Sequence, residues 1–238
     1  MDVLSFRWHA KYGHFLKAEA NRNALTYPVP PRTAVLGLVA AIIGLEKDQL
    51  ALDLAGTLVS VAGAVPRKFW HKVKLRKDPP APLPWEVRRN QKGGEGAPEK
   101  AALVPQEWLL QPEFVVSVAL PEKPERFAEL VERVRDRRWH FSPCMGLSEF
   151  LADVEFLGVE EGQKLPKSRL WVGGYCLAAE VRLFGEPGLG VQLIRLPRHV
   201  SPDRVFTHDS YYLEHRGRPF PVETEAAWQV GERVLTFS

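Results

Sequence analysis

The side chains with the most chemistry to offer are grouped in one stretch. Arg67, Lys68, Lys72, Lys74, Arg76, Lys77, Arg88, Arg89 and Lys92 fall between residues 66 and 92, opposed only by Asp78 and Glu86. The whole chain balances 32 Lys and Arg against 29 Asp and Glu, a net charge of +3. The rest of the chain is therefore net acidic, and the positive charge is concentrated in this segment. Phe69, Trp70, His71 and Trp85 are interleaved with the cations. Cations that meet phosphates and rings that stack on bases equip a surface for single-stranded nucleic acid. The same residues would also suit a flap whose rings tuck back onto a core.

A second candidate lies at Tyr27 to Gly44, where Pro28, Pro30 and Pro31 hold an extended entry to a run that is apolar from Ala34 to Ile43. Thr33 is placed to cap the helix that begins there, and Gly44 to end it. The unpaired N–H groups of a first helical turn can seat a phosphate, with Arg32 beside them. A core helix with an ordinary start fits the same residues.

Nucleophilic and metal chemistry find less support. His14, His71, His140, His199 and His208 have no second catalytic group fixed to them by spacing. Cys144 and Cys176 lack metal-ligand spacing and read as buried thiols, so neither a metal nor a cofactor is expected. No signal peptide is evident at the start, and the Ala34 to Leu45 run is too short to span a bilayer. A cytoplasmic protein with no membrane partner is expected.

Elements that would position these residues follow from periodicity. Val3 to His9 alternates as a strand, and Ala34 to Ile43 forms a buried helix with a short helical piece after it. Thr57 to Val65 reads as a strand. Residues 66–105 are rich in proline and glycine and leave the core as an excursion, in which Phe69, Val73 and Leu75 alternate with lysines as in one arm of a hairpin. Glu113 to Leu120 is a strand, Pro124 to Arg138 an amphipathic helix with a solvated charged face, and Ser148 to Leu157 leads into another strand. The fold expected is α+β: a ferredoxin-like βαββαβ domain over residues 1–158, the plan of an RNA-recognition motif, carrying a basic thumb-like hairpin at 66–105. Residues 159–238 add a small β-rich unit, with strands near Leu177 to Phe184, Gly190 to Leu196 and Glu225 to Phe237.

This order, the Tyr27-Pro28-Val29-Pro30-Pro31 entry, Gly37 within the helix and Ile43-Gly44 at its end resemble the CRISPR-associated RAMP proteins of the Cas-five family. Gly146-Leu147-Ser148-Glu149-Phe150 is similar to a second landmark of that family, with Leu147 where an arginine often stands. The resemblance implies a type I effector (Cascade) subunit that caps the 5′ handle of the crRNA, touches the Cas-seven backbone and Cas-eight large subunits, and meets target DNA only through the assembled complex. RNA contacts are then expected from His14, Arg22, Tyr27, Arg32, Thr33, the nine basic residues with Trp70 and His71, and Met145, Gly146 and Ser148. A minority branch cuts precursor crRNA without metal, using a tyrosine near the end of the first helix and a Lys-His pair. Here the helix ends Ile42-Ile43-Gly44 and no Lys-His dipeptide occurs. A non-catalytic subunit is expected, with metal-independent endoribonuclease as the alternative.

Overall fold

The computed structural model describes residues 1–20, 23–46, 49–76, 101–201, 203 and 205–238. Its main sheet is built from β1 (Asp2–Ala10), β3 (Leu58–Ala62), β6 (Glu113–Ala119), β7 (Ala152–Lys164), β14 (Ala227–Val230) and β15 (Arg233–Thr236). These lie in the order β15-β14-β7-β1-β6-β3, every neighbouring pair antiparallel. Helix α1 (Arg32–Ile43) connects β1 to β3, with a single turn, α2 (Leu50–Asp53), after it. Helix α3 (Pro124–Arg135) connects β6 to β7.

Alternation in β1 sends Leu4, Phe6 and Trp8 into one core with Val116 and Val118 of β6, Val59 and Val61 of β3, and Leu130 and Val134 of α3. Helix α1 buries Val35, Leu36, Leu38, Val39, Ala40, Ile42 and Ile43 in the same core. It is apolar nearly all round because it is covered on more than one side: it packs on α3 and also against β11 (Val191–Val200). Gly44 ends it in the left-handed region, at φ 78°, as expected. The helix start differs from expectation. Pro31 occupies the cap position, no side chain caps the helix, and Thr33 is half-buried in the first turn.

The opposite face of the two central strands carries Val3, Ser5, Arg7 and His9 of β1 and Glu113, Val115 and Ser117 of β6. Ser5 and Ser117 share a 3.0 Å hydroxyl contact, Arg233 bonds Ser5 and Glu160, and Arg7 pairs with Glu155. None of these residues is Phe, Tyr or Trp, and the half-buried His9 imidazole is the one ring among them.

The excursion returns as a hairpin. β4 (Arg67–Arg76) pairs with β5 (Ala101–Leu110) from Arg67↔Leu110 to Arg76↔Ala101, and β2 (Tyr12–Gly13) joins the outer side of β5. Pro105 lies within β5 opposite Lys72, and its carbonyl accepts from the Ala24 N–H.

The C-terminal part holds more strands than its sequence announces. β8 (Ser168–Val172), β10 (Val181–Leu183) and β13 (Phe220–Thr224) form one small sheet; β9 (Cys176–Leu177), β11 and β12 (Phe206–Glu214) form another. β14 and β15 return to the main sheet, and the expected boundary at 158/159 falls inside β7. The β-rich segment is thus continuous with the first domain's sheet.

Candidate nucleic-acid interface

The two faces of the β4–β5 hairpin have different company. On one face Phe69 and His71 lie against Trp108 at ring separations of 5.8 and 4.2 Å, and Trp108 meets Tyr12 at 5.5 Å and Phe150 at 4.7 Å. This aromatic cluster seats the hairpin on β2 and on the loop that carries Gly146. On the other face Lys68, Trp70, Lys72 and Lys74 stand opposite Leu109, Glu107, Pro105 and Leu103. Trp70 is 54% exposed and Leu103 66% exposed, and Lys72 and Lys74 are exposed beside them. Tucked rings and a solvent-facing basic surface are therefore both present, one on each face. Successive side chains of one strand face lie about 7 Å apart, which sets the cations in a row.

At the hairpin's base the row meets a cleft of about 640 Å³. Its walls come from Lys17, Glu19, Tyr27 and Pro28, from Val65, Pro66, Arg67 and Lys68, and from Gln192, Leu193, Ile194, Arg195 and His215. Lys68 fastens the hairpin to the entry segment, its ammonium donating to the Thr26 carbonyl and to Glu107, both at 3.2 Å. Tyr27 is buried at the cleft wall, with its hydroxyl 3.4 Å from Glu19 and 3.2 Å from His208 Nε2, and with Lys17 5.6 Å over its ring. Burial and the nearby Glu19 carboxylate raise its pKa, so it is a neutral hydrogen-bonding group.

The two sequence landmarks meet on the segment 13–16. The Phe15 N–H donates to Thr26 Oγ1, and the Tyr27 N–H donates to the Phe15 carbonyl. On the other side the His14 N–H donates to the Met145 carbonyl at 3.0 Å. Gly146 has φ +92°, and a Cβ there would lie 1.9 Å from the His14 carbonyl oxygen, so only glycine fits. Ser148 is exposed, its hydroxyl donating to Glu149.

Several expected RNA contacts are internal. Arg32 is 4% exposed. Its Nη2 donates to the Thr57 carbonyl at 2.6 Å and to the Ala55 carbonyl at 3.3 Å, Nε to the Ser238 main-chain oxygen at 2.8 Å, and Nη1 to the Arg198 carbonyl at 3.3 Å. The guanidinium is spent on main-chain acceptors rather than facing a phosphate. His14 is buried, and its Nδ1 donates to the Glu107 carbonyl at 2.8 Å; burial lowers its pKa, so it is held neutral. Met145 is wholly buried in the main core. His71, by contrast, packs on Trp108 but remains exposed. Arg22, Lys77, Arg88, Arg89 and Lys92 lie outside the described residues, and Arg76 is placed only as a position at the end of β4. Exposed basic groups that the structure does bring together are Arg67, Lys68, Lys72 and Lys74.

Lys17, Glu19 and Arg195 were not singled out from sequence. They gather only because residues 17–28, 65–68 and 192–195 converge at the cleft, which no local pattern announces. Among the described residues, no group of three His, Cys, Asp or Glu could hold a metal ion. Cys176 is fully buried, and burial pushes its thiol up to about 12, whereas Cys144 is only half-buried. No described helix is long and apolar enough to cross a membrane.

Three solved structures of similar fold are of CRISPR proteins. A CRISPR protein from Archaeoglobus fulgidus is similar over 100% of this chain and 99% of its own, with TM-score 0.55 and 14% identity. A chain of a CRISPR RNA-guided surveillance complex is similar over 92% of this chain and 91% of its own, with TM-score 0.52 and 16% identity. A third structure, a Cas protein, covers 90% of this chain and 95% of its own at TM-score 0.52 and 14% identity. At these identities the likeness is one of fold, mostly β with few helices. No curated protein matches the chain. The model of the family described as CRISPR-associated protein (Cas_Cas5) matches residues 3–215, nearly the whole length, and the chain belongs to that family.

Proposed function

We propose that this chain is a crRNA-binding structural subunit of a type I CRISPR effector, capping the 5′ handle, joining the Cas-seven backbone and Cas-eight large subunits, and holding its RNA without cutting it. The observation that carries the reading is the exposed row Trp70, Lys72 and Lys74, which runs along one hairpin face, past the anchoring Lys68, into a cleft lined by Lys17, Arg67 and Arg195. Such a surface tracks a backbone with cations and offers a ring to a base. Family membership and the likeness to a chain of an RNA-guided surveillance complex support it. The order β7-β1-β6-β3, with helices between β1 and β3 and between β6 and β7, supports a ferredoxin-like core beneath the hairpin.

Cleavage without metal needs a base for the 2′-hydroxyl, an acid for the leaving oxygen and a cation for the phosphorane. His14 is committed to a carbonyl and Tyr27 to Glu19 and His208, which supports the non-catalytic reading. Co-expressed with a repeat-containing RNA, the chain should retain RNA, seen as a raised 260/280 nm absorbance ratio, and leave it intact in EDTA. A product ending in a 2′,3′-cyclic phosphate would overturn the non-catalytic reading. Purification free of RNA, with no binding on re-addition, would overturn the binding reading.

A further inference from the structure

We propose that the cleft at the hairpin base receives one unstacked nucleotide of the bound RNA and that Glu19 selects guanine there. The inference rests on the RNA-binding reading above and adds a base preference to it. A volume of about 640 Å³ lies in the range of small-ligand sites and exceeds what one nucleotide fills. Pro28, Val65 and Leu193 give apolar surface for the faces of a base, with Leu193 60% exposed. Lys17, Arg67 and Arg195 give the cations for its phosphate.

Among the described residues lining the cleft, Glu19 is the one carboxylate. It repels phosphate, so in a cationic RNA cleft its use is to meet a donor edge. A carboxylate only accepts hydrogen bonds, and its two oxygens match two adjacent N–H groups. Guanine alone among the four bases presents adjacent donors, N1–H and N2–H, on its Watson–Crick edge. Adenine, cytosine and uracil each set an acceptor beside a donor, and that acceptor would face a carboxylate oxygen. Unstacked bases are read on this edge. The carboxylate is also held from behind: Tyr27 donates to it at 3.4 Å, and His208 Nε2 sits 3.2 Å from the Tyr27 hydroxyl. Tyr27 and His208 are thus positioning residues for the reading group.

The test uses the full chain and fluorescent eight-nucleotide oligouridylates whose central residue is guanosine, inosine, adenosine or uridine. The guanosine probe should bind about tenfold tighter than all-uridine, the discrimination expected of one good bidentate contact. Inosine, which lacks the 2-amino group, should lose most of that gain. Glu19→Gln should flatten the series while binding all-uridine no more weakly than the natural chain. Lys72→Gln with Lys74→Gln should weaken all four probes alike and preserve the ratio. Equal binding of guanosine and uridine probes by the natural chain overturns the guanine site and leaves RNA binding standing. No measurable binding of any probe overturns both.

Discussion

Replacing Arg32 separates a structural role from a nucleic-acid one, because the two assign the guanidinium to different partners. Its two short bonds, 2.6 Å to the Thr57 carbonyl and 2.8 Å to the Ser238 main-chain oxygen, are charge-assisted, the first buried and the second partly buried. A hydrogen bond from a charged group contributes about 1.5 to 3 kcal/mol net, and a buried acceptor left unpaired costs about 1 to 3 kcal/mol. Water can reach some of the freed carbonyls, so about 4 kcal/mol is expected for Arg32→Met, which keeps volume and removes every donor. For a chain of 238 residues, 1 kcal/mol moves Tm by about 2 to 4 °C, giving a fall of roughly 8 to 16 °C. Arg32→Lys, with charge and donors but no fork, should fall between the two. Tm by calorimetry and RNA affinity by anisotropy at 25 °C should diverge: a large loss of stability, and affinity of the folded protein within about twofold. An unchanged Tm with a tenfold loss of affinity would refute the structural role and restore the phosphate seat.

Further outcomes follow from the same geometry. Glu214 has a side chain 1% exposed; burial pulls its pKa up, but Arg218 and the N–H groups of Arg218, Gly190 and Arg216 outweigh burial and hold it at about 2. A depressed carboxyl contributes stability above its ordinary value of 4.5 and loses it as pH falls toward 2, so Tm should drop through that window. Glu214→Gln should cost about 1 to 3 kcal/mol at pH 7 and flatten the acid slope. Gly146→Ala places a Cβ 1.9 Å from the His14 oxygen and should cost about 3 kcal/mol, whereas Gly37→Ala meets nothing within 4 Å and should stabilise α1 by up to about 1 kcal/mol; paired urea melts compare them. Trp70→Ala should leave Tm unchanged, since the ring is 54% exposed, and weaken RNA binding by about 1 to 3 kcal/mol.

What the sequence showed plainly was local. The alternation of Leu4, Phe6 and Trp8 and the unbroken apolar run of α1 point to their elements because burial imposes its period on neighbouring residues. The lysine alternation of β4 likewise identified a hairpin arm. Less legible were contacts between distant segments. The pairing of Trp228 with Lys164 brings β14 back to the main sheet, and nothing near either residue encodes it. Arg32 was misplaced because its partners are carbonyls, which every residue has, so no side-chain pattern reveals them. The cleft was hidden for a related reason: Glu19 and Arg195 gain meaning only from each other's proximity.

The central claim is that the exposed basic face of the hairpin holds single-stranded RNA, and the salt dependence of that binding tests it most directly. With about four phosphate contacts, log affinity of a handle-length RNA against log salt should have a slope near −3. Lys72→Gln with Lys74→Gln should bring it to about −1.5, while Trp70→Ala should lower affinity and leave the slope unchanged. A flat salt dependence, or a slope that the lysine pair does not alter, would contradict the account.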